Sequence, residues 1–267
     1  MVVLLLACLS TGCTYVSPKT TALQHVHETY RSEFAEFIVP QPGNNPTIPS
    51  LKADEPAFAE TLREIRGYRM RYGENTPEAA HLKVLEGMIY LQSSRLGMAQ
   101  LVQQDVQNAQ SKLKSGTGHY TRDALLAHTF AHLLQGWQEI ADFNDKNDKT
   151  LAEPGKLQMA ADGIKNELDQ LDRSKLAQPE VDEGAIYLAT TAAIFYVWVY
   201  KLKSDAQEAD GKKAIWFKKG AELIGGFLSE TEKNAAAQAA DAMNSPASRL
   251  RYLDWYGYLL REANAPQ

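Results

Sequence analysis

His128 and His132 stand four residues apart in His-Thr-Phe-Ala-His. On a helix that spacing puts both imidazoles on one face, where they could share a zinc ion. Zinc-dependent hydrolysis from this geometry needs a glutamate directly after the first histidine, and Thr129 stands there. No third ligand neighbours the pair. His128 and His132 are therefore read as core or groove-lining side chains that can contact a ligand, with no metal and no cofactor assigned.

Asp142, Asn144, Asp148 and Glu153 occupy the first, third, seventh and twelfth places of a twelve-residue window. Calcium loops place oxygen ligands at such positions. Lys146 would put a positive charge where an oxygen belongs, and Asn147 replaces the glycine that makes the turn. The stretch from Asn144 to Thr150 is read as a solvated turn. Serine, histidine and aspartate are plentiful, but no nucleophile motif or phosphate-binding loop accompanies them. The chain is expected not to be an enzyme.

The run from Gly184 to Tyr200 carries no charge. Its length is at the short edge for crossing a bilayer, and it suits equally the central helix of an all-helical domain. The second reading is preferred. Buried tyrosine and tryptophan need polar partners. Tyr187, Tyr196 and Trp198, with Trp216 further on, are therefore candidates for lining a groove or cavity.

The two cysteines, Cys8 and Cys13, both fall in the first thirteen residues. Val2 to Leu9 is an apolar run too short to span a membrane but right for a signal-peptide core. The stretch Leu9-Ser10-Thr11-Gly12-Cys13 that follows resembles the lipobox of bacterial lipoproteins. The resemblance implies cleavage before Cys13 and acylation of its sulfur, with Cys8 as an alternative site. Thr14, where inner-membrane lipoproteins often carry aspartate, implies the outer membrane, facing the periplasm. Several acyl chains make such an anchor close to permanent.

The 267 residues are 44% hydrophobic and 23% charged, an ordinary globular balance that can fill a core. A net charge of −5 without a basic block argues against nucleic acid or anionic lipid as the main partner.

Helical periodicity runs from Thr20 onward, and no stretch alternates as strands do. Ten helices are expected. They run over about 20–38, 55–72, 77–92, from 96 through 113, and over 121–143. Further helices hold 157–171, 181–202, 214–227, a short alanine-rich stretch at 235–242, and 246–263. Pro40, Pro42, Pro46 and Pro49 mark a connector between the first two. Thr76 before Pro77 and Ser245 before Pro246 read as N-caps, and Ser229 with Glu232 as a capping box. The chain divides into a signal peptide, 1–12; a lipidated N-terminus, first helix and connector, 13–52; and a helical domain, 53–267.

Gly87, Tyr90 and Ala99 have the spacing of the small and aromatic positions in tetratricopeptide (TPR) repeats, over roughly Pro77 to Lys112. The resemblance implies antiparallel helix pairs stacked as a TPR-like α-solenoid, an irregular helical bundle being the alternative. The expected function is a non-enzymatic scaffold, tethered to the membrane, that grips a protein or peptide of the cell envelope. Two alternatives remain: an accessory lipoprotein carrying a small molecule or lipid for a transport system, and a metalloenzyme built on His128 and His132.

Overall fold

The computed structural model describes residues 17–33, 39–43, 46, 58–113, 122–146, 153–171, 179–206, 212–237 and 247–265. Among these, all regular structure is helical, and no strand occurs. The helices are α1 (Pro18–Glu33), α2 (Ala59–Tyr72), α3 (Pro77–Gln92), α4 (Leu96–Leu113) and α5 (Arg122–Lys146). They continue with α6 (Pro154–Asp169), α7 (Pro179–Asp205), α8 (Lys213–Gly225), α9 (Glu230–Ala237) and α10 (Ala247–Asn264). Cys8, Cys13, Ser245 and Asp148 lie outside the described residues.

Local chemistry sets several ends. The Thr76 hydroxyl accepts from the Ala79 N–H at 3.2 Å, with Pro77 opening α3. At α9 the Ser229 N–H donates to Glu232 Oε2 at 2.8 Å, and the Glu232 N–H returns to Ser229 Oγ at 3.3 Å. This capping box starts α9 at Glu230, five residues before the alanine run that had suggested it. The second helix also begins later than expected. Phe58 precedes it with φ 64°, an uncommon conformation for an aromatic residue, and its buried ring stacks on Tyr30. Leu250, expected inside, is exposed on α10.

From α3 to α8 each helix packs against the next, and α3, α5 and α7 also touch in series. The even-numbered α4 lies against α3 and α5, and α6 against α5 and α7. After α7 the order changes, because α8 packs on both α7 and α10. The centre is α7, which meets α5, α6, α8 and α10. Its Ala185–Val199 stretch is wholly buried, so the uncharged run is a core helix in this fold. Its span from Val181 to Asp205 is long and apolar enough to cross a membrane, but 89% of its most apolar window is buried among other helices.

Arg69 ties α2 to the stack. Its guanidinium reaches Glu86 at 2.7 Å and Glu74 at 2.7 Å, with Asp105 at 3.9 Å. The Tyr90 hydroxyl donates to the other Glu86 oxygen at 3.2 Å. Both Arg69 and Glu86 are largely shielded from water, so removing Arg69 leaves the Glu86 charge without its counter-ion. Arg69→Met is expected to cost about 2 kcal/mol of stability by urea denaturation, and the double variant Arg69→Met with Glu86→Leu to recover most of it.

Candidate functional site

Two surface features carry polar chemistry, and they lie on different sides of α7. The first is built by two indoles. Trp198 of α7 and Trp255 of α10 are each fully buried, and a buried indole N–H must find an acceptor. Trp198 Nε1 donates to the Pro46 carbonyl at 2.7 Å, and Trp255 Nε1 to the Pro40 carbonyl at 2.7 Å. Val39, Pro40 and Pro46 are buried in return. Part of the proline-rich connector is thus strapped across α7 and α10. Phe143 of α5 meets Trp198 edge-on, and the Lys201 ammonium lies 4.4 Å from the centre of the indole.

The second feature is a cleft of about 670 Å³ lined by α6, α7 and α8. Its floor is Tyr196 of α7, whose hydroxyl donates to Asp162 Oδ1 at 2.6 Å. Burial and the Asp162 charge push the Tyr196 hydroxyl well above its ordinary value, so it stays a donor. Lys219 projects over Tyr196 and Trp216, its ammonium 4.6 Å from the Trp216 ring centre. Leu223 and Phe227 supply an apolar end.

The six binding candidates do not converge on one site. Tyr196 borders the cleft, Trp216 is buried behind it with the two ring centroids 5.9 Å apart, and Trp198 lies beneath the strap. Tyr187 is sealed inside, accepting from Gln92 Nε2 at 2.8 Å. His128 and His132 both turn into the seam between α5 and α6. The Gln110 amide contacts His128 Nδ1, and Glu167 lies 3.6 Å from it. The His132 ring packs against Gly163. Burial lowers the His132 pKa, against the opposing pull of Glu167. Among the described residues no group of three His, Cys, Asp or Glu could hold a metal ion. Asp142 to Lys146 are helical, which removes the loop that a calcium site at 142–153 would need.

Sequence reasoning missed one close histidine–carboxylate pair. His81 Nδ1 of α3 lies 2.8 Å from Asp123 Oδ2 in the first turn of α5, where an acid also complements the helix dipole. Arg122 Nε reaches the other oxygen at 3.4 Å. Burial disfavours the Asp123 charge, but the His81 hydrogen bond and the nearby Arg122 and His81 charges outweigh it and lower the pKa. A depressed carboxylate pKa stabilises the fold above the unfolded value, near 3.9, and that stabilisation is lost as pH falls through the folded value. Asp123→Asn should therefore cost about 1–2 kcal/mol at pH 7. In acid titrations followed by circular dichroism the gap from the parent protein should close below about pH 4. A gap that stayed constant down to low pH would remove the charge from the explanation.

Comparison of the chain with protein-family models, with curated proteins and with solved structures finds no match.

Proposed function

We propose that the protein is a lipoprotein, acylated at Cys13 and held at the periplasmic face of the outer membrane, whose helical stack is a non-enzymatic scaffold for a protein partner. The observation that carries the scaffold reading is the strap. The stack already receives a proline-rich segment of its own chain, donating to its backbone carbonyls through Trp198 and Trp255. Extended, proline-containing peptides are commonly recognised this way, by aromatic grooves that donate to main-chain oxygens.

The series α3, α5, α7, with α4 and α6 laid between, supports a solenoid-like stack. Gly87 supports the TPR-like reading of its first pair. A Cβ there would come within 2.9 Å of Val106 on α4 and 2.8 Å of Phe130 on α5, so its absence permits the close approach. Tyr90 and Ala99 are buried as well.

Cross-linking of intact envelopes is expected to recover one protein partner in stoichiometric amount. Cys13→Ala should abolish incorporation of labelled palmitate and release the protein from the membrane fraction. Undiminished labelling in that variant would move the anchor elsewhere, and recovery of monomer alone would remove the scaffold.

A second reading is carriage of a small molecule, favoured by the cleft between α6 and α8. Lys219 offers an ammonium to an anionic group, beside an apolar end. Native mass spectrometry of freshly purified protein would show the adduct, and its loss in Lys219→Glu would locate it.

A further inference from the structure

We propose that the outward face of α2 docks on the anionic phospholipid surface of the membrane. Ala59, Arg63, Arg66, Gly67 and Met70 recur at helical spacing and form one solvent-facing stripe. Across a shallow depression from it lies Arg95, at the start of α4. Met70 is 89% exposed, the most exposed large apolar side chain among the described residues. Arg63 is matched by Glu60 and Glu64. Arg66, Arg71 and Arg95 have no carboxylate partner among the described residues. Four arginines against two glutamates leave this face at +2, on a chain whose formal charge is −5.

The position of the face says what covers it. α1 and α2 form an antiparallel pair: Tyr30 meets Phe58 at one end, and the Tyr72 hydroxyl donates to the Pro18 carbonyl at the other. Lys19 pairs with Glu78 at 2.7 Å beside them. Cys13 precedes Pro18 by five residues. Whatever its path, that stretch can separate an acylated sulfur from Pro18 by no more than about 20 Å, five extended residues plus the cysteine side chain. The end of α2 carrying Met70 and Arg71 would therefore lie close to the bilayer. Arginine suits this place because its aliphatic stem can lie in the interface while its charge meets lipid phosphate. Each such cation strengthens attachment to an anionic surface about fivefold. The placement rests on the acylation reading proposed above, whereas the charge of the face does not.

The test uses the full chain with Cys8→Ser and Cys13→Ser, carrying Met70→Cys labelled with a polarity-sensitive fluorophore. It is reconstituted into neutral phosphatidylcholine vesicles and into vesicles with about one-third phosphatidylglycerol. The same chain is used with both, so only the charge of the lipid surface differs. A blue shift is expected with anionic vesicles alone, reversed by about 0.5 M salt. Arg66→Gln with Arg71→Gln should reduce it at least fivefold without loss of helical signal. The same label at Met159, exposed on α6, should not respond. Equal shifts in neutral vesicles, or an equal response at position 159, would overturn the proposal. A shift produced by lipid-free envelope proteins would also overturn it, assigning the face to an acidic protein. Failure of palmitate labelling at Cys13 would remove the acyl anchor and leave this charge readout standing.

Discussion

Trp198→Ala is expected to cost about 4 kcal/mol and to release the strap from α7. The side chain is fully buried in the most enclosed helix of the fold. Truncation loses its edge-on contact with Phe143, opens a cavity beneath Pro46, and deprives that carbonyl of its donor. The two effects separate in Trp198→Phe, which keeps most of the ring and loses the N–H. That variant should cost about 1–2 kcal/mol, the usual penalty for a buried acceptor left unmatched. Trp255→Phe acts on a different carbonyl, Pro40, so the two costs should be nearly additive. Urea unfolding measures the costs. Hydrogen exchange on peptides covering residues 39–46 measures the strap, which should exchange at least tenfold faster in the double variant, a loss of about 1.4 kcal/mol of local protection. Wild-type protection in that variant would mean that the indoles do not hold the segment.

The helices were legible where periodicity and caps agreed. In α3 the Thr76 cap, Pro77 and an inward row of Val84, Leu85, Met88 and Leu91 all specify one element, and it spans Pro77–Gln92 as expected. The start of α2 was not legible. Phe58 looks like one more member of an apolar stripe, and only its stacking on Tyr30, 28 residues earlier, accompanies its left-handed turn. Helix propensity misplaced α9 because alanine marks helix strongly but marks no boundary, whereas the Ser229–Glu232 box does.

For the candidate site, composition pointed to the correct helix and not to the arrangement. Aromatic residues on an apolar helix must find polar partners, and the structure supplies them to Tyr187, Tyr196 and Trp198. Which of them faces an opening depends on partners far off in sequence. Pro46 lies 152 residues from Trp198, and Pro40 lies 215 residues from Trp255. No local pattern around Trp255 could have announced its role. Lys219 escaped notice for a related reason: a lysine on α8 is unremarkable until α6 and α8 are seen to line one cleft with Tyr196.

The contact of α5 with α7 rests on one missing methyl group. A Cβ at Gly136 would fall well inside van der Waals contact of the Phe195 ring. That ring is fully buried, and Trp137 meets it edge-on with centroids 5.2 Å apart. It therefore has nowhere to swing, and relief must come from separating two helices at the centre of the stack. Alanine is the better helix former by about 1 kcal/mol, so propensity alone predicts that Gly136→Ala stabilises. The overpacking cost, about 1–3 kcal/mol and sometimes more, should reverse that sign, for a net loss of about 2 kcal/mol. Gly67 provides the internal comparison. It lies in the same kind of helix, but an added Cβ meets no atom within 4 Å. Gly67→Ala should thus raise stability by about 0.5–1 kcal/mol. Opposite signs from one chemical change, read in paired urea titrations, would show that packing against Phe195 decides residue 136. Stabilisation at both sites would mean that α5 and α7 lie further apart than described.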